Sequence, residues 1–223
     1  MQSIIEPVFH VAYLSTVTIL GLIMAFRSKG RSEFTWFGVM AVTLGFGDAF
    51  HLIPRIIALL TTGFEAHAAA LGFGKFMTSI TMTVFYVILY ALWKMRYKVG
   101  PVPALDAAMG ALAAVRIALC FFPQNEWLRY DAPLSWAVYR NIPFAAMGII
   151  MIALFYREGR RAHDANGTRM ALAVLLSFGF YVPVVLWGQG NLLVGMLMIP
   201  KTLAYLWVVF IGYSEFRKAV GRA

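Results

Sequence analysis

The stretch TWFGVMAVTLGFGDAFHLIPRIIALLT, Thr35–Thr61, is apolar almost throughout, yet carries Asp48, His51 and Arg55, with Pro54 just before the arginine. A similar apolar–Pro–cation step, LMIPK, lies at Leu197–Lys201. The run exceeds the ~20 residues that cross a ~30 Å hydrocarbon core. It is one of seven, at about 4–26, 35–61, 70–93, 103–122, 134–156, 168–189 and 192–214. Without water in a bilayer, each backbone must satisfy its own polar groups, so the runs read as helices. The expected fold is all-α: one seven-transmembrane-helix bundle over residues 1–223. The first run carries Glu6, has no basic leading region and is too long for a cleavable signal peptide.

Composition agrees. The chain is 61% hydrophobic and 13% charged, against about 25% charged in soluble domains. Cys120 is the single cysteine, so no disulfide framework exists. A net charge of +9 could serve nucleic acid, but the cations fall in short clusters between apolar runs rather than on one solvated face. No nucleic-acid partner is expected; the partner is the lipid bilayer.

The clusters orient the chain. Arg27, Lys29 and Arg31 follow the first run, and Lys94, Arg96 and Lys98 the third. Arg157, Arg160, Arg161 and Arg169 join the fifth and sixth, and Arg217, Lys218 and Arg222 form the tail. The opposite links hold Arg129 beside Glu65, Glu126 and Asp131. The positive-inside rule then places the N-terminus outside and the C-terminus in the cytoplasm. Size and simplicity suggest a bacterial inner membrane. Asn166 of the NGT sequon falls on the cytoplasmic side, so it is not expected to be glycosylated. Trp36, Trp93, Trp127 and Trp136 sit near run ends, as interfacial anchors do.

Five cations lie inside the runs: Arg55, Lys75, Arg116, Arg140 and Lys201. Glu6, His10, Asp48, His51 and Asn141 are embedded too. A charge at the bilayer centre costs at least ~2.5–3.5 kcal/mol. Arg116 and Arg140 lie about 9–10 Å from the outer boundary at ~1.5 Å per residue, close enough to snorkel in part. Lys201 and His51 lie about 15 Å in, near the midplane. Counted from the outer end, the charged and imidazole groups fall in the outer half or at the midplane, with Asp48 slightly deeper. Tyr181, Trp187 and Gln189 join them from the sixth run, and the inner half holds almost nothing comparable.

Spacing supports convergence. Asp48, His51 and Arg55 recur at i, i+3, i+7, and Glu6 and His10 at i, i+4. Lys75 shares a face with Thr78 and Ser79, and Lys201 with Tyr205. Pro54, Pro143, Pro183 and Pro200 each free a backbone carbonyl, which membranes tolerate beside a cavity or partner. Asp48 with Lys201 and Glu6 with Arg55 are the available structural pairs. Two acids cannot neutralise five cations.

Three functions fit this layer. The first is a transporter or receptor for a small anionic ligand or anionic lipid headgroup, held by Asp48, His51, Arg55, Lys75, Arg116, Arg140, Asn141, Tyr181, Trp187 and Lys201. Arginine offers a fork to carboxylate or phosphate and lysine a point charge. FHLIP (Phe50–Pro54) parallels FYVP (Phe180–Pro183), and Lys75 with FYVILY parallels Lys201 with FIGY. That is a faint three-plus-one-plus-three repeat of a kind transporters use.

The second is a metal-dependent membrane hydrolase in which Glu6, His10, Asp48 and His51 hold Zn, and the metal activates water against an ester or amide. The Phe50–His51 step resembles the second helix of the alkaline ceramidase and adiponectin-receptor superfamily. That family has a serine where Asp48 stands and paired histidines on its seventh helix. Here the seventh run carries Lys201 and no histidine, which removes two of the three zinc ligands the resemblance implies.

The third is a retinal protein. Lys201 in the seventh run, with FYVPVVLW (Phe180–Trp187) in the sixth, resembles microbial rhodopsins and implies a Schiff base on Lys201. The third run has no counter-ion carboxylate and position 197 is leucine, so Asp48 would have to serve.

Other motifs are weaker. GFGK at Gly72–Lys75 follows no strand and lacks the glycines of a phosphate loop. Cys120 has no adjacent base. Gly45, Gly47 and Gly179 are expected to let helices pack closely.

Overall fold

The computed structural model describes residues 2–188 and 192–221. Gln189, expected in the polar layer, and Arg222 of the tail lie outside the described residues. The helices are α1 (Gln2–Phe26), α2 (Ser32–Leu60), α3 (Ala68–Arg96), α4 (Pro103–Cys120), α5 (Leu134–Arg161), α6 (Ala165–Trp187) and α7 (Met198–Val220). A 3₁₀ turn, Pro123–Asn125, precedes α5, and a helical turn, Leu192–Gly195, precedes α7. There is no strand among the described residues. All seven long helices are long and apolar enough to cross a membrane.

Chain neighbours pack on one another, α1 on α2 on α3 and α4 on α5 on α6 on α7, and α7 returns to α1 and α2. The centre is large and apolar. Phe85, Tyr86 and Leu89 of α3 are fully buried, with Val17, Met40, Met147 and Val208 from four other helices. The outward faces are apolar as well: Phe26, Ile142, Ile149, Leu175 and Phe210 are exposed. A water-facing bundle rarely exposes such continuous apolar surface, and the pattern fits a multi-pass membrane protein.

Glycines set two of the closest approaches. A Cβ on Gly74 of α3 would lie 2.2 Å from the Phe50 carbonyl oxygen of α2, and one on Gly47 would lie 1.8 Å from Thr81 Oγ1. Gly45 is similarly tight, 2.8 Å from Thr18 Oγ1. Gly179, expected to do the same, faces open space.

The helices overrun their hydropathy limits at the basic end. Helix α3 continues to Arg96 and α5 to Arg161, and α6 begins at Ala165. Backbone hydrogen bonding does not stop where side chains turn polar. Arg160 and Arg161 suit the negative end of the α5 dipole, and the Asp164 side chain caps α6 by accepting from the Asn166 N–H at 3.0 Å.

The seventh helix departs most from expectation. It starts six residues later than the apolar run, so Lys201 is its fourth residue, although the candidate span reaches back to Leu193. Pro200 then lies in the first turn, where its missing N–H breaks no helical bond. Pro54 and Pro143 do lie inside α2 and α5, and Pro183 inside α6. Two of the expected anchor tryptophans make contacts within the protein. Trp93 is buried at 2% exposure, and Trp127 donates from Nε1 to the Cys120 carbonyl at 2.9 Å.

Candidate anion-binding site

The polar layer divides into two parts. Between α1 and α2 the charges meet partners. Arg55 pairs with Glu6 and lies over the Phe64 ring at 5.1 Å. Asp48 accepts from the Tyr13 hydroxyl at 2.7 Å, a residue that sequence reading did not select. The field of Lys201 reaches Asp48, but the two form no ion pair among the described residues. Both acids of the layer are therefore engaged on one side of the bundle. His10 is buried, and His10 Nδ1 and His51 Nδ1 have no hydrogen-bond partner among the described residues.

Across α4 to α7 the cations meet aromatic rings instead. Arg116, 2% exposed, does not snorkel. Its Cζ lies 3.4 Å from the Phe144 ring centre, and Nε and Nη1 are buried with no hydrogen-bond partner among the described residues. Such atoms are costly, since a buried charged donor without a partner loses its hydration uncompensated. The Phe144 ring meets Tyr181 edge-on, with centres 6.1 Å apart. Lys201, 7% exposed, places Nζ 4.8 Å from the Tyr181 ring and 5.5 Å from the Tyr205 ring. Its ammonium has no hydrogen bond or ion pair among the described residues. Arg116, Phe144, Tyr181 and Lys201 thus form one contiguous chain of contacts.

Neighbouring groups are held in place. The Tyr181 hydroxyl donates to Asn141 Oδ1 at 3.1 Å, and Asn141 Nδ2 donates to the Ala137 carbonyl at 2.8 Å. The Tyr205 and Tyr86 hydroxyls lie 3.4 Å apart. Arg140 donates to Asn125 Oδ1 at 2.9 Å and covers the Trp127 ring at 4.3 Å. Asn125 in turn donates to the Leu119 and Phe122 carbonyls at 2.7 and 2.8 Å, which closes the end of α4. Arg140 therefore binds a neutral amide and no carboxylate among the described residues.

Two expected members are exposed. Lys75 lies within electrostatic reach of His51, Arg55 and Arg140, and the hydroxyls on its face bond to backbone: Ser79 donates to the Lys75 carbonyl and Thr78 to the Gly47 carbonyl. Trp187 is 60% exposed at the end of α6. For a metal, Glu6, His10, Asp48 and His51 do not converge. No group of three or more His, Cys, Asp or Glu side chains that could hold an ion occurs among the described residues. Geometry explains this, since Glu6 turns to Arg55 and Asp48 to Tyr13.

The other end of the bundle, expected to be nearly featureless, holds a dense ionic cluster. Arg96 donates from Nε and Nη2 to Asp164 at 2.6 and 3.0 Å, and from Nη1 and Nη2 to Glu215, both at 2.6 Å. Glu33 lies 3.7 Å away. Tyr97 donates to Asp164 at 3.0 Å, and Asn166 to Glu215 at 2.8 Å. Burial alone would raise the Asp164 carboxyl, but the Arg96 hydrogen bonds and charge outweigh it and hold Asp164 at about 2. Burial and the Asp164 carboxylate push the Tyr97 hydroxyl up. Nearby, Lys94 donates to both Asp106 oxygens at 2.7 and 3.0 Å, and Tyr90 to one at 2.7 Å. Arg96 was read as a topology signal, and the carboxylates come from three separate places in the chain. The one local clue is Asp164 as a helix cap.

No protein-family model matches the chain, and no curated protein or solved structure is similar to it at a significant level.

Proposed function

We propose that the chain is an integral membrane protein that binds, and in the fuller reading transports, a small anion or an anionic lipid headgroup through Arg116 and Lys201. The observation that carries this reading is Arg116: a buried guanidinium with two nitrogens unpartnered among the described residues. Evolution rarely leaves such a group in a core without use, because replacing it with an apolar residue would stabilise the fold. An anionic oxygen at either edge of the guanidinium would give one of these nitrogens a charged partner. Lys201 adds a point charge beyond Tyr181, and the first turn of α7 adds the positive end of a helix dipole. Arg140 and Lys75 add positive potential that attracts the anion, while Asn141 fixes the Tyr181 hydroxyl. Asp48 and His51 tune Lys201 from α2.

In this reading the N-terminus is outside, the Arg96 end is cytoplasmic, and the site opens outward from a bacterial-type inner membrane. Single cysteines at Gly63 and Gly100 in a Cys120→Ala background test the orientation: the first is expected to react with an impermeant maleimide from outside, the second only after lysis. The reverse pattern sinks the topology.

For the site, the test is thermal shift of detergent-purified protein with phosphate, sulfate and small carboxylates. At least one anion is expected to raise the Tm of wild type, with the shift lost in Arg116→Met and reduced in Lys201→Met. If no anion stabilises wild type, or if the shift is unchanged in Arg116→Met, the proposal fails. A retinal Schiff base on Lys201, whose Nζ lies near the Tyr181 and Tyr205 rings, is the alternative reading. An absorption band that appears with retinal and vanishes in Lys201→Met would replace the anion reading.

A further inference from the structure

The second inference concerns the seam between α5 and α6 at the basic end, away from Arg116 and Lys201. There a groove of about 490 Å³ opens on the side of the bundle. Its walls are two helical stripes. Ile152, Tyr156 and Arg160 recur every four residues along α5, and Arg169, Leu172 and Leu175 face them from α6. Tyr156, Leu172 and Leu175 are 55%, 45% and 52% exposed, so the walls are open to whatever surrounds the bundle. The helices meet closely at the end of the groove, where a Cβ on Gly159 would lie 2.8 Å from the Thr168 backbone nitrogen.

Charge distinguishes this groove from an ordinary lipid-facing seam. The last turns of α5 and the link to α6 hold two acids, Glu158 and Asp164, and both are engaged. Glu158 pairs with Arg157 at 3.0 Å and Arg161 at 3.9 Å, and Asp164 is bound to Arg96. The Arg160 guanidinium is left with no hydrogen bond or ion pair among the described residues. The hydrogen bond of Arg169 goes to a neutral amide, Asn166 Oδ1, at 3.1 Å. Of the four arginines from Arg157 to Arg169, the two that border the groove are the two without a carboxylate partner among the described residues, and they stand at one end of an apolar channel. The stripe from Arg160 to Ile152 is about 12 Å long at ~1.5 Å per residue, the length of several methylenes.

We infer that this groove is a binding site for an anionic phospholipid, with its phosphate between Arg160 and Arg169 and an acyl chain along Ile152, Tyr156, Leu172 and Leu175. Both halves of the ligand have a counterpart: guanidinium for phosphate, apolar groove for hydrocarbon. A free phosphate would leave the groove uncovered, and a zwitterionic lipid would bring a cation to the arginines. Tyr156 suits the interfacial depth at which headgroup and chain join.

The experiment reconstitutes the full chain in nanodiscs of phosphatidylcholine with a minor fraction of phosphatidylglycerol. It is then extracted gently, and the retained lipids are counted by native mass spectrometry. Wild type is expected to enrich phosphatidylglycerol over the nanodisc composition. The double variant R160Q/R169Q is expected to lose that enrichment by about tenfold or more, since each arginine near an anionic surface contributes on the order of 1 kcal/mol. R157Q/R161Q removes the same net charge from outside the groove and is expected to retain it. Leu172→Asp, which spoils the apolar wall and leaves both arginines, is expected to weaken retention. All four arginines are exposed, so the variants should fold, and an unchanged Tm in detergent checks this. Equal enrichment in wild type and R160Q/R169Q, or equal loss in both double variants, overturns the inference. So does displacement of the lipid by inorganic phosphate as effectively as by phosphatidylglycerol. None of these outcomes depends on Arg116 or Lys201.

Discussion

Arg96 and Arg116 are both arginines inside one bundle, and they have opposite surroundings. Arg96 gives five nitrogen–oxygen contacts to three carboxylates, from α2, α7 and the cap of α6. Arg116 stacks on a phenylalanine and leaves two nitrogens without a partner among the described residues. The first is what a structural cation looks like, because its burial is compensated by charge and hydrogen bonds. The second rests on a ring face, with no carboxylate partner among the described residues. Residue type therefore does not separate scaffold from site in this molecule; the state of the partners does.

The sharpest way to break the contrast is to remove Arg96. Arg96→Met strands three acids that now converge, and stability should fall by on the order of 3 kcal/mol, read by thermal or denaturant unfolding in detergent. A neutral result would mean that Arg96 is no anchor. Arg116→Met should act in the opposite direction. Without ligand it should stabilise by about 1–3 kcal/mol, the cost of an unpaired buried polar group. A loss of stability instead would show that the Phe144 contact and the helix packing depend on the guanidinium.

Smaller effects sharpen the comparison within the layer. Tyr13→Phe removes the donor to Asp48 and should cost about 1–2 kcal/mol, whereas Tyr181→Phe, whose partner is a neutral amide, should cost less. Reversal of that order would argue that Asp48 is satisfied by another group. The weakest effect concerns pH. The folded Asp164 carboxyl sits at about 2, below its usual value of 3.8. Its contribution is therefore complete above about pH 4 and is lost as pH falls toward about 2. Asp164→Asn can still cap α6 and should flatten this window while leaving the neutral-to-alkaline profile parallel to wild type. An unchanged acid limb would place the acid sensitivity elsewhere, with Glu215 the next group to test.

Much of the site was visible as a set of depths. Helical spacing gathered Asp48, His51 and Arg55 on one stripe, and the Glu6–Arg55 pair follows from matched depth on adjacent helices. Depth could not say which helix lies beside which. Asp48 could have met Lys201 across the bundle, but it meets Tyr13 on α1, because α1 packs along α2. Lys75 shares the layer's depth and still ends up exposed, because hydropathy does not fix rotation. The Arg96 cluster was missed for a further reason: Glu33, Asp164 and Glu215 lie near run ends, where charges normally signal water and topology.

The sequence by itself determined that this is a bundle of seven apolar helices with more embedded cations than acids. That much follows from segment length, hydropathy and counting, which are local properties. Only the tertiary structure decided which cations are neutralised. Ion pairs and hydrogen bonds form over a few ångströms between residues as far apart as Arg96 and Glu215, and helix adjacency, rotation and the late start of α7 set those distances. One chain thereby holds one arginine as a clasp and another as an open hand.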